Sequence, residues 1–143
     1  SIMIGINDVW RHFGGFQIAG QVITLEEYMQ TLDELIGQIH PELSGMILMT
    51  PYYLETKQNE PIRSMMDQFG SAVHDLARKY DALLADTQAA FDQVLQSLHP
   101  YQLAMDRVHV NLTGHSVLAR AWLRCVGYQF VRPESWVDKT AGG

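Results

Sequence analysis

Apolar positions along this chain fall into two patterns, stripes at helical spacing and short continuous runs. From Leu25 to Ile39, residues Leu25, Tyr28, Met29, Leu32, Leu35, Ile36 and Ile39 recur at three- and four-residue steps, the spacing of one helical face. Thr24 with Glu27 three residues on supplies a capping box for that helix. A second helical stripe starts at Pro61, a favoured first helical residue, and uses Ile62, Met65, Met66, Phe69, Val73, Leu76 and Ala77. A third, near Gln88 to Leu98, shows Phe91, Val94, Leu95 and Leu98 and stops before Pro100. A fourth runs from about Thr113 to Val126, with Val117, Leu118, Ala121, Trp122 and Cys125 on one side and Gly127 placed to end it.

Between these stripes lie short continuous apolar runs: Ile2-Met3-Ile4, Gly45 to Met49, and Ala82 to Ala85. Continuous rather than alternating runs are what strands covered on both faces need. The order β-α-β-α-β-α-loop-α predicts an α/β fold, a parallel sheet with helices on both faces. In such sheets sites form at the carboxyl ends of the strands. That rule singles out Asn7 and Asp8 after the first run, Thr50, Tyr52 and Tyr53 after the second, and Asp86 and Thr87 after the third. A long loop with Asp106, His109 and His115 leads into the last helix and reaches the same rim.

Composition narrows the function classes. The 143 residues fit one domain, and a charged fraction of only 18% argues against disorder. A net charge of −6 argues against a phosphate-backbone binder, so no nucleic-acid partner is expected. No apolar run approaches the ~18 residues of a membrane span, so no membrane partner is expected. Cys125 is the single cysteine and reads as a small core residue. Ser71 and Ser116 fall inside helical stripes, where a nucleophile would be poorly presented.

Two short motifs carry candidate chemistry. In Asp106-Arg107-Val108-His109, a carboxylate and an imidazole three residues apart can meet side by side. The carboxylate fixes the tautomer through Nδ1, and Nε2 is left as a general base. In Gly5-Ile6-Asn7-Asp8, the Asn7 amide can donate to a developing oxyanion, Gly5 allows close approach, and Asp8 can brace the turn. Taken singly, the first motif is also an ordinary capped turn and the second an ordinary Asx turn. Trp10 and Tyr52 stand where aromatic faces could stack on sugar rings or pack the rim. Asp86 reads as a cap of the third helix in preference to a pocket residue.

The two motifs in this order, about a hundred residues apart on one α/β pattern, resemble the SGNH hydrolases, the GDSL esterase/lipase family. The family's Gly-x-Asn-Asp block reads GIND here, and its Asp-x-x-His block reads DRVH. The stretch HVNLTGHSVLARAWL resembles the helix after that block. SIMIGINDVWR, GMILMTPYYLE and ADTQAAF are similar to the branch of intracellular acetyl esterases acting on acetylated xylo-oligosaccharides. Val110 departs from the Pro common there.

The resemblance implies a flavodoxin-like three-layer α/β/α sandwich. It also implies a serine esterase acting on small acyl esters, with acetylated oligosaccharide as substrate. His109 would be general base, Asp106 its orienting partner, Asn7 an oxyanion donor, and Trp10 and Tyr52 substrate-binding residues. No cofactor and no metal are expected, and a cytoplasmic homo-oligomer is. No Gly-Asp-Ser block, which carries the family's nucleophile, occurs in these residues. Residues 1–143 are therefore expected to be the latter two-thirds of one SGNH domain. The run Ser1 to Ile4 would then be a strand lacking a neighbour, with an apolar edge that invites pairing with other chains. Two readings compete. One is a metal-dependent hydrolase built on Asp8, Asp86, Asp106, His109 and His12. The other is a non-catalytic binding module.

Overall fold

A computed structural model describes residues 1–14 and 22–130; Trp136 and the tail lie outside the described residues. The elements are α1 (Ile6–Phe13), α2 (Leu25–Ile39), a 3₁₀ turn at His40–Glu42, β1 (Ile47–Met49), α3 (Pro61–Lys79), β2 (Leu83–Ala85), α4 (Thr87–Leu95), a second 3₁₀ turn at Pro100–Gln102, and α5 (Leu112–Cys125). β1 and β2 pair in parallel, with Ile47 opposite Leu83 and Met49 opposite Ala85. α3 is the crossover between them, as a parallel pair requires.

Four helices follow their sequence signals closely. Thr24 and Glu27 form the reciprocal capping box of α2. Pro61 opens α3, Asp86 caps α4 by accepting from the Ala89 N–H, and Asn111 caps α5 by accepting from Thr113 and Gly114. Gly114 also has a packing reason, since a Cβ there would lie 2.5 Å from the Val110 Cβ. α4 ends at Leu95, three residues short of expectation, and the chain turns over Ser97 and Leu98 on bonds to the Val94 carbonyl.

The start of the chain differs from the strand-and-turn expectation. Ile2-Met3-Ile4 makes one parallel bridge, Ile2 with Leu48, and then leaves the sheet. Gly5 turns the chain at φ 124°, a conformation that a side chain would oppose, and Pro51 and the Tyr28 hydroxyl leave no room for one. α1 begins immediately after, so Asn7 and Asp8 occupy a helical first turn rather than a loop. Negative charge is favoured at that position. Eight residues with Val9 as the one buried position were too short to show a helical stripe. Met3 and Ile4 stay 40% and 46% exposed. Leu83 is exposed too, so β2 is not covered along its whole length.

Two apolar clusters hold these elements together. The larger joins Val9, Tyr28, Leu32, Ile36, Leu48, Met66, Phe69 and Val73 from α1, α2, β1 and α3. Val108, from the loop before α5, reaches into it. The smaller joins Leu54, Phe91, Leu95, Leu103 and Ala104, with Val117 and Leu118 of α5 against it. Along α5 only Gly114 is fully buried. Cys125 is half-buried, and burial pushes its thiol pKa up, away from nucleophilic use.

Candidate active site

The Asp106–His109 loop is built around its one buried side chain. Val108 points into the larger core cluster, while Asp106 and His109 are exposed. Arg107 takes up the reversal with a left-handed φ of 66°. The turn closes on Asp106 Oδ1, which accepts from the backbone N–H groups of Val108 at 3.0 Å and His109 at 2.8 Å. Oδ2 is left to meet His109 Nδ1 at 2.6 Å. The hydrogen bond from the imidazole, helped by the two backbone donors and opposed by slight burial, holds the Asp106 pKa down at about 2. The carboxylate is charged at neutral pH and fixes the ring with Nδ1 inward. Nε2 makes no hydrogen bond among the described residues, and the imidazole is 72% exposed.

α1 approaches the same imidazole. The Trp10 ring lies 5.8 Å from the His109 ring, tilted by 59°. Asn7 is one helical turn before Trp10 and so shares its side of α1. Its amide is exposed, with no hydrogen-bond partner among the described residues. The helix that begins at Gly5 thus carries an amide and an aromatic ring on the side that meets His109. Asp106, His109 and Trp10 are brought together, and Asn7 is carried on the adjoining turn.

Tyr52 occupies a different position from the rim expected of it. Its ring packs on Phe91 at 4.5 Å and its hydroxyl donates to the Val108 carbonyl at 3.0 Å. It underlies the loop. Two more links run from the same segment. The Leu54 N–H donates to the Arg107 carbonyl at 3.1 Å, and the Arg107 guanidinium donates to Glu55 Oε2 at 2.6 Å. Behind them Arg63, only 3% exposed, donates to the Glu55 carbonyl at 2.6 Å. It also forks onto Asp92 at 2.8 and 2.7 Å and reaches Asp67 at 2.7 Å. Gln88 brackets Tyr53, donating to its carbonyl and accepting from its N–H. Sequence reasoning found none of these supports. The partners lie up to 56 positions apart, and no local pattern encodes them.

The residues of the metal-hydrolase reading are dispersed. Asp86 caps α4 and meets His74 Nε2 at 3.0 Å, and His12 Nε2 lies 2.8 Å from the Ile23 carbonyl. His115 is exposed on the first turn of α5. A polar cavity of about 520 Å³ lies beside α3 and the start of α4, lined by Thr50, Ser71, His74, Asp86 and Gln88 among others. Neither Asp106 nor His109 lines it.

Comparison with known proteins gives a consistent picture. The family model for GDSL-like lipases and acylhydrolases matches residues 1–117. An acetylxylan esterase of Geobacillus stearothermophilus is 47% identical over 132 residues, which are 92% of this chain and 60% of that enzyme. The crystal structure of Axe2, an acetylxylan esterase from Geobacillus stearothermophilus, superposes with a TM-score of 0.87 at 46% identity over 92% of this chain and 60% of its own. LAE5, an α/β hydrolase from the metagenome of Lake Arreo in Spain, superposes at 0.85 with 46% identity, over 87% of this chain and 57% of that one. The chain thus spans about three-fifths of the relatives it matches. Catalytic mutants of Axe2 have been solved with a serine, an aspartate or a histidine replaced, the aspartate and histidine three positions apart.

Proposed function

Because this chain belongs to the GDSL-like lipase/acylhydrolase family, with the α/β fold of the SGNH hydrolases, we propose that it carries the base half of a serine esterase that removes acetyl groups from xylo-oligosaccharides. The observation that carries the reading is the Asp106–His109 contact at 2.6 Å through Nδ1. It leaves the far nitrogen of an exposed imidazole without a partner among the described residues. The aspartate and histidine replaced in the Axe2 catalytic mutants have the same spacing, and the serine replaced there suggests the third member.

The nucleophile is a serine hydroxyl supplied from outside residues 1–143. Its oxygen attacks the ester carbonyl carbon while His109 Nε2 takes its proton, and Asp106 steadies the imidazolium. The carbonyl electron pair moves onto oxygen, where the Asn7 amide donates to it. The tetrahedral species expels the sugar alcohol, which takes the proton back from Nε2. Water then attacks the acyl-serine, gives its proton to His109, and acetate leaves as serine is restored. Trp10, 37% exposed beside His109, offers an aromatic face for a sugar ring. Tyr52, with its hydroxyl engaged beneath the loop, acts from below. An intracellular homo-oligomer is part of the same proposal, on likeness alone.

The test is made on the full-length protein. Acetate release from acetylated xylo-oligosaccharides is followed alongside labelling by a fluorophosphonate. Labelling on one serine together with acetate release is expected. Release that survives the probe but stops on chelation would favour the metal reading, and neither signal would favour the binding module.

A further inference from the structure

Arg107 sits between Asp106 and His109 with φ at 66°, a region that disfavours a residue bearing a Cβ. Such a conformation persists when its surroundings over-determine it. The surroundings include the Asp106 carboxylate, the Leu54 N–H and the Tyr52 hydroxyl, and on the Arg107 side chain Tyr53 and Glu55. Glu55 Oε1 accepts from the Lys57 N–H at 2.9 Å, which turns Oε2 toward the loop, where Arg107 donates at 2.6 Å. The Glu55 side chain is only 12% exposed and that of Arg107 33%. The Glu55 carbonyl is gripped in turn by Arg63, itself 3% exposed and held by Asp92 and Asp67. Burial pushes the Glu55 pKa up, but the Lys57 backbone donor and the Arg107 charge outweigh it and the net shift is downward. The pair is therefore charged, mostly desolvated and fixed at one end to the α3–α4 framework.

We propose that Glu55 is a positioning residue for acyl transfer: through Arg107 it fixes the left-handed turn that sets Asp106 against His109. Glu55 does not touch the reacting atoms. It acts on the orientation of the imidazole, so it governs how often Nε2 is aimed correctly and leaves substrate affinity alone. The proposal rests on the esterase reading for its kinetic arm only.

The experiment uses Glu55→Gln in the full-length protein, which keeps the shape and removes the charge. The expected result is a fall in kcat of about 10- to 100-fold with KM within about twofold of wild type, partly restored by Glu55→Asp. Nuclear magnetic resonance supplies a second arm that needs no turnover. The far-downfield proton of His109 Nδ1–H bonded to Asp106 should be present in the wild type and broadened or lost in the variant. If the wild type shows no ester turnover, that signal alone decides between the outcomes, so a failed esterase reading and a failed positioning role are told apart. Unchanged kcat with an unchanged downfield proton would overturn the proposal. So would a fall in kcat that tracks only the unfolded fraction. Arg107→Gln interrogates the same contact from its other side should Glu55→Gln not fold.

Discussion

Histidine meets aspartate twice among the described residues, at Asp106–His109 and at Asp86–His74. Both carboxylates are also braced by backbone, Asp106 by Val108 and His109 and Asp86 by Ala89. A serine even lies one helical turn from His74, at Ser71, inside a polar cavity. The pairs differ in which nitrogen is engaged. Asp106 takes Nδ1 at 2.6 Å and leaves the outer nitrogen open. Asp86 takes Nε2 at 3.0 Å, so the nitrogen that remains is the one nearest the histidine's own backbone. They differ again in what the carboxylate is for. Asp86 also accepts from Thr50 Oγ1 at 3.3 Å and is committed to joining α3, α4 and the end of β1. A histidine–aspartate contact becomes a candidate base by virtue of the nitrogen it leaves open, and residue types alone do not distinguish the two.

That contrast breaks most easily at His109. In the full-length protein His109→Ala should lower kcat/KM by roughly 10³-fold or more; turnover within tenfold of wild type would end the assignment. Asp106→Asn comes next. It keeps the shape of the turn but loses the charge and the tautomer that the carboxylate fixes, and kcat should fall by up to about 10⁴-fold. Asn7→Ala removes an oxyanion donor while leaving the base intact. A loss of about 10²-fold in kcat is expected, with fluorophosphonate labelling slowed as well. A smaller effect lies in stability. The Asp106 pKa is held at about 2, below its ordinary 3.8. A group depressed in the folded state contributes its stability fully above the unfolded value and loses it as pH falls through the folded one. The difference in unfolding midpoint between wild type and Asp106→Asn should thus be present above about pH 4 and shrink toward about pH 2. A difference that grows on acidification would sink the claim.

The legibility of the chain follows the range of the forces involved. α2, α3 and α5 were readable because caps and apolar stripes are local, and the β-α-β order because continuous apolar runs mark covered strands. The Asp106–His109 contact was readable because three residues in one turn can close a hydrogen bond by themselves. α1 was not, since its short amphipathic face has one buried residue and its start depends on how Pro51 and Tyr28 crowd Gly5. The position of Tyr52 was not readable for a related reason. An aromatic after a strand looks the same in sequence whether it faces the rim or lies beneath a loop 56 residues away. The Glu55–Arg107–Arg63 supports are wholly tertiary, and only the folded chain brings them within reach.

The last and smallest expected effect is at His74. Its contact with Asp86 is half open to water, with side chains 41% and 35% exposed, and exposed pairs contribute about 0–1 kcal/mol. His74→Ala should therefore shift the unfolding free energy by less than about 1 kcal/mol and leave kcat within about twofold. Asp86→Ala should cost more stability, about 0.5–2 kcal/mol, because it also removes the cap of α4, yet it too should spare kcat. Urea unfolding and acetate release on the two variants test this together. If His74→Ala abolished ester turnover while His109→Ala did not, the roles of the two pairs would be exchanged, and the polar cavity beside α3 would become the place to look for the nucleophile. If both variants retained turnover, the nitrogen left open would have no bearing on catalysis. Loss at His109 alone is the outcome expected from which nitrogen each aspartate engages.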